Sequence, residues 1–126
     1  MEYKIGIYIP KPQIDSLKSG NIFTTCEPRE RIEKIAPYLI TSRLSSIGQV
    51  FEVADEGGSA HTRAKLIDCF ITTFGSPDLK FVSGMGFGAD VAKCKFEYEK
   101  FWKINFPTDE LSEATELFVT VWEPVK

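Results

Sequence analysis

The chain has 126 residues, 15 of them basic and 18 acidic, for a formal net charge of −3. That length suits one hydrophobic core and excludes two independent domains of ordinary size, so residues 1–126 are read as a single domain. The acidic balance excludes a broad nonspecific nucleic-acid footprint and leaves room only for a local basic patch.

Residues 3–9, Tyr-Lys-Ile-Gly-Ile-Tyr-Ile, form a β-rich run that Pro10 and Pro12 terminate. The prolines pass the chain into a short helix over about 12–19, with Ile14 and Leu17 inward and Gly20 as its stop. Ile22 to Cys26 is the next expected strand, ending at Pro28. Ile32, Ile35 and Ala36 suit a short helix that Pro37 interrupts, followed by an extended piece at Tyr38–Ile40 and a Ser-rich turn. Gly48 to Ala54 has strand character, and Asp55-Glu56-Gly57-Gly58-Ser59 supplies a turn.

His61 through Phe74 is the longest β signal. Simple alternation puts Ala64, Leu66, Asp68, Phe70 and Thr72 on one face and Lys65, Ile67, Cys69, Ile71 and Thr73 on the other. Both faces carry apolar residues, as expected of a central strand covered on both sides or rolled into a barrel. Ser83-Gly84-Met85-Gly86-Phe87-Gly88 follows, where alternate glycines either wall a pocket or let a helix sit tightly on a sheet. Asp90, Val91, Cys94, Tyr98, Phe101 and Trp102 recur at helical spacing and predict a helix over 89–104. Asp109 is placed to cap a further turn through Ala114. Glu116 to Glu123 closes the chain as a strand, with Leu117, Val119 and Val121 opposite Phe118, Thr120 and Trp122. The sum is an α+β domain of five or six mostly antiparallel strands with two or three helices.

Cysteines 26, 69 and 94 are odd in number and widely spaced, which argues against a disulfide framework and a closed zinc site. No metal or cofactor is implied, and packing is the simpler role for Cys69 and Cys94. The first residues lack the apolar core of a secretory signal, and no stretch approaches 18 apolar residues. The expected setting is the cytoplasm, with reduced thiols and no membrane partner.

Glu27 and Arg29 flank Pro28 close to Thr24 and Thr25. Such a cluster suits a polar ligand, with an Arg donor fork, a carboxylate acceptor and hydroxyls that serve as either. His61, Arg63 and Lys65 repeat at strand spacing and share one face, where His61 is a candidate proton shuttle and solubility the plainer role. Trp102, Tyr98, Phe101 and Phe87 form an aromatic stripe suited to core packing or to stacking on a base. The glycine segment lacks the Lys-Ser/Thr ending of a phosphate loop and the spacing of a dinucleotide fingerprint.

The order of these features resembles the ASCH family, small domains with a PUA-like, partly closed β-barrel. The resemblance rests on Leu17-Lys18-Ser19-Gly20, the strand leading to Glu27-Pro28-Arg29, Gly48-Gln49-Val50-Phe51, the strand from Arg63 to Phe74, the glycine-containing approach to the aromatic helix, and Val119-Thr120-Val121-Trp122-Glu123. The family motif places a Gly, then a Lys, then Glu and Arg. Here Gly20 stands at the Gly, no Lys follows before Thr24, and Glu27-x-Arg29 falls about two residues late. The resemblance implies a cleft between the first helix and the barrel suited to RNA or a nucleotide-like ligand, while the absent lysine removes the obvious charge-stabilising group of catalytic relatives.

Three functional classes follow. One is a module binding single-stranded RNA or a nucleotide-like molecule through Thr24, Thr25, Glu27, Arg29, Arg63, Lys65 and Trp102. The second is a small hydrolase acting on RNA or a modified nucleoside, with Glu27 or His61 moving a proton and Arg29 or Lys65 stabilising charge. The third is a protein-interaction domain, marked by an exposed apolar patch at Tyr3, Tyr8 or Trp122. The expected cleft lies where Glu27 and Arg29 meet the face of Arg63 and Lys65.

Overall fold

The last strand organises the molecule, because its two faces alternate between two separate apolar cores. A computed structural model describes residues 5–8, 11–55, 57–58 and 60–125. Its elements run β1 (Ile5–Tyr8), α1 (Lys11–Lys18), β2 (Phe23–Pro28), α2 (Arg29–Ile35), α3 (Leu39–Ser45), β3 (Val50–Ala54), β4 (His61–Thr73), α4 (Leu79–Val82), a wide turn (Ser83–Phe87), α5 (Val91–Asn105) and β5 (Glu116–Pro124). The sheet order is β1-β3-β4-β5-β2. From β3 to β2 the neighbours are antiparallel, a four-strand sheet curled into a half-barrel, and β1 adds parallel to β3 at one edge.

Among the described residues the sheet thus has four antiparallel strands and one parallel edge strand, where five or six mostly antiparallel strands were expected, and the helices are five where two or three were expected. Pro37 accounts for part of the difference. It holds Ala36 out of helical geometry at φ −146° and ends α2, yet the chain resumes as α3 at Leu39, so Tyr38–Ile40 is not extended. A proline restricts its predecessor and not its successors. Asp78 caps a further short helix, α4, by accepting from the Lys80 N–H at 2.8 Å. Conversely, the segment after Asp109 stays in turns, with the Asp109 carboxylate 3.5 Å from Arg31.

Phe118 and Trp122 of β5 belong to one core with Ile14 and Leu17 of α1 and Ile32 of α2. Leu117, Val119 and Val121 belong to the other, with Phe81 of α4 and Cys94, Tyr98 and Trp102 of α5. Trp122 is completely buried, meets Phe51 edge-on at 5.3 Å between ring centroids, and donates from Nε1 to Thr120 Oγ1 at 2.8 Å. Such an aromatic pair contributes about 0.5–1.5 kcal/mol beyond its buried area. On α5, Cys94, Tyr98 and Trp102 stand four residues apart and share one inward face, while Asp90 caps the helix at the Lys93 N–H.

β4 is central, as its two-sided apolar pattern predicts, but its faces are not those of a simple alternation. Leu66 lies opposite Trp122 and Asp68 opposite Val121, so Ile67 is one extra residue. Ala64 and Leu66 face the α1 core before this bulge, and Cys69 takes that face after it. Asp68, Phe70 and Thr72 therefore face α5, because an inserted residue inverts the phase of everything downstream. The Asp68 carboxylate accepts from the Cys69 N–H at 2.9 Å, meeting a donor that lies beside the bulge.

The glycine segment joins α4 to α5 across the edge of β2. A Cβ on Gly84 would overlap the Thr24 methyl and come within 2.7 Å of its Oγ1, and Thr24 is fully buried, donating to the Phe81 carbonyl at 3.1 Å. Gly86 takes φ 93°, which glycine adopts without strain. Close approach of helix to sheet is therefore one use of these glycines.

Candidate functional site

The residues singled out from the sequence do not converge. β2 alternates so that Phe23, Thr25 and Glu27 face the α1 core and Thr24 and Cys26 face α5. Glu27 lies opposite Phe118, and Phe118 opposite Ile71. Arg63 and Lys65 stand six to eight residues before Ile71, about 20–25 Å along β4, and on the α5 side of the sheet. The expected cleft between Glu27–Arg29 and Arg63–Lys65 is therefore not formed. His61, opposite Ala54 at the far end of β4, lies about 30 Å of strand from the level of Glu27.

The remaining candidates are engaged in the fold. Thr24 ties β2 to α4. Thr25 and Thr120 share a hydrogen bond between hydroxyls, which extends the bond that Trp122 makes to Thr120. Arg29 is bonded to Glu33 at 3.0 Å and to both oxygens of Glu116 at 3.2 and 3.3 Å, and these carboxylates raise its pKa, the Glu33 hydrogen bond most. Trp102 is only 3% exposed and spends its N–H on the Asp109 carbonyl at 2.8 Å, so it has no open face for a base. Trp122 contributes no exposed patch, and the side chains of Tyr3 and Tyr8 lie outside the described residues.

None of the thiols is activated. Burial pushes Cys26 up to about 12. Burial, with the Asp68 carboxylate beside it, pushes Cys69 up to about 11, against the opposing field of Arg43. Burial raises Cys94 as well. A nucleophilic cysteine needs the opposite shift. Arg43, which the sequence reading passed over, lies 5.3 Å from the centroid of Phe51, and its burial there lowers its pKa.

An open groove of about 1240 Å³ lies instead between α1 and the bulged end of the sheet. Gln13 and Ser16 line it from α1, and Gly20 to Phe23 from the turn into β2. Ile67, Asp68 and Val121 come from the sheet, and Ser83 to Gly86 from the glycine turn. The glycine segment is thus a pocket wall as well as a close-packing device. Phe23 and Val121 are buried, whereas Ile22 and Leu79 on the rim are 52% and 59% exposed. Asp68 and Lys80 are its charged lining residues and pair at 3.4 Å, so the groove is electrically balanced. Asn21 makes one long bond to Ser16 at 3.5 Å, leaving an amide for a ligand.

Asp68 is the signal that points here from the sequence: a carboxylate between Ile67 and Cys69 in an apolar strand marks an interruption. Gln13, Ser16 and Asn21 carry no such mark.

A second groove of about 920 Å³ runs between α2 and the 108–116 segment. It holds Arg29, Arg31 and Lys34 against Glu30, Glu33, Asp109, Glu110 and Glu116, and each of its three cations is paired within the groove.

No family model matches the chain, and no curated protein does. Among solved structures, the chain is similar to protein EF3133 from Enterococcus faecalis V583, described under DUF984. The two share 15% identity and a TM-score of 0.67, over 90% of this chain and 67% of that one. It is also similar to an ASCH domain from Lactobacillus crispatus, at 12% identity and a TM-score of 0.65, over 97% of this chain and 79% of that one. At such identities the likeness is one of fold, and it agrees with the half-barrel and its helices: the protein has an ASCH-like fold.

Proposed function

We propose that the protein is a binding module for single-stranded RNA or a nucleotide-like molecule, and that the ligand enters the groove between α1 and the bulged sheet. The groove itself carries the reading. Its floor is apolar at Phe23 and Val121, its wall is glycine backbone, and its rim offers amides and hydroxyls from Gln13, Asn21, Ser16 and Ser83. Apolar walls with a few polar groups suit a flat heterocycle, which buries its faces and hydrogen-bonds at its edges. The ASCH-like fold supports the same class of ligand.

Binding without turnover is the better-supported form. Among the described residues, no basic side chain is hydrogen-bonded to Ser16 or Ser83, so neither hydroxyl has the partner that makes a nucleophile. Glu27 and His61 stand at opposite ends of the sheet and cannot share a proton path.

The test is equilibrium titration with single-stranded RNA, duplex DNA and free nucleosides, accompanied by a turnover assay on the same ligands. Asn21→Ala and Ile22→Asp are expected to weaken RNA or nucleoside binding by about fivefold or more, with duplex DNA weakest. Turnover that depends on Glu27 or His61 moves the protein to the hydrolase class. No response to any nucleotide moves it to a protein-interaction role, for which exposed Ile35 and Tyr38 on the α2–α3 surface are the first residues to replace.

A further inference from the structure

A residue lining the groove beside α1 carries an unmet hydrogen bond. The side-chain oxygen of Gln13 is buried and has no partner, although Gln13 lines the groove. A buried acceptor left unpaired loses its water without replacement, so a ligand that draws the Gln13 amide into the groove and donates to its oxygen gains more than an ordinary hydrogen bond. The second strong acceptor there is Asp68. One of its oxygens is taken by the Cys69 N–H, and the other has only a long contact with an exposed lysine ammonium.

Phosphate demands the opposite equipment. It is held by several convergent donors and net positive charge. Lys80 is the cation among the described lining residues, and Asp68 cancels it. A phosphate placed near Lys80 would also lie near the Asp68 carboxylate.

Resting on the ligand reading above, we infer that the groove selects an uncharged heterocycle by an amino N–H donated to the Gln13 oxygen, and that it does not grip phosphate. The ligand is therefore an amino-bearing base or nucleoside, or one such base of an RNA strand whose phosphates stay in solvent.

The test is calorimetric titration of the full chain with adenosine and cytidine, each beside the riboside that lacks its amino group, and with adenosine monophosphate. At least one amino nucleoside should bind about fivefold tighter than its amino-free counterpart. The monophosphate should bind within about twofold of adenosine, with little dependence on salt. Gln13→Leu should abolish the amino preference at unchanged melting temperature, and Gln13→Glu, which keeps an acceptor, should retain it.

Equal binding of amino and amino-free ribosides overturns the inference and leaves the ligand reading intact. The same holds for a preference confined to uridine-like bases, for tighter binding of the monophosphate, or for an amino preference that survives Gln13→Leu. If no nucleoside or oligonucleotide binds, the ligand reading itself falls and the inference with it.

Discussion

The two grooves flank opposite ends of β2 and differ in how their polar groups are used. The second holds eight charged side chains, and Arg29, Arg31 and Lys34 are each paired inside it. The first holds two charges that cancel, yet keeps an unpartnered Gln13 oxygen and a weakly held Asn21 amide. Charge density therefore marks structure in one groove, and unspent hydrogen-bonding capacity distinguishes the other, the proposed site. An exposed ion pair contributes about 0–1 kcal/mol and is easily replaced by solvent, whereas a buried unpaired acceptor waits for a specific donor.

The sharpest way to break this comparison is to thicken the wall of the first groove. Gly84→Ala places a methyl group into Thr24, which is fully buried and cannot move aside. The expected cost is about 2 kcal/mol, in the range of core overpacking, together with loss of ligand binding. Thr24→Ala removes the nearest atoms, so the double variant should be more stable than the sum of the two single changes by about 1 kcal/mol. Chemical denaturation of the four proteins checks it. Strict additivity would mean that Gly84 is not held by close approach.

A smaller effect comes from the core between the sheet and α5. Burial keeps the Cys26 thiol protonated in the folded protein until about pH 12, while the unfolded thiol ionises at its ordinary lower value. The raised folded pKa means its contribution is fully present below the unfolded value and is lost as pH rises from there towards 12. Melting temperature should thus fall through this alkaline window, and Cys26→Ala should flatten the fall. An identical slope in the variant would assign the loss to Tyr98, whose pKa burial also raises.

Much of this fold is legible from local pattern. Ile14 and Leu17 point inward from α1, β4 is central, the faces of β5 alternate as written, and Cys94, Tyr98 and Trp102 line one side of α5. What fails is phase and pairing. The bulge at Ile67 is a tertiary adjustment, and nothing local distinguishes Ile67 from its neighbours as the residue to be doubled. Helix resumption after Pro37 depends on Leu39 and Ile40 finding the α1-side core. The first groove draws on α1, the β4 bulge and the glycine turn, segments spread along the chain from Gln13 to Gly86, so its composition appears only when the sheet brings them together. Arg29 looks like a site residue because its charge is visible in the sequence and its pairing with Glu33 and Glu116 is not.

The second groove yields a weaker test. Arg29→Ala breaks contacts to Glu33 and Glu116 on a side chain that is 41% exposed, so only a small loss of stability is expected, because solvent screens exposed ion pairs. Ligand affinity should stay within about twofold, since the remaining carboxylates lie at the other end of β2 from the first groove. A large affinity loss at unchanged stability would make the second groove the binding surface and reverse the contrast drawn between the two.

The smallest expected effect belongs to Lys65. It lies opposite Val50 on one side and Glu123 on the other, on the α5 side of the sheet and before the Ile67 bulge. It lines neither groove. Lys65→Ala should therefore change stability by no more than about 0.5 kcal/mol and leave nucleoside affinity unaltered. Longer RNA sharpens the question, because a strand leaving the first groove past Asp68 can follow β4 towards Lys65. If Lys65→Ala weakens an oligonucleotide but not a nucleoside, and lowers the salt dependence of binding by about one phosphate contact, the strand runs along that face. If it weakens both alike, the base is bound on the Lys65 side and the groove beside α1 is not its site.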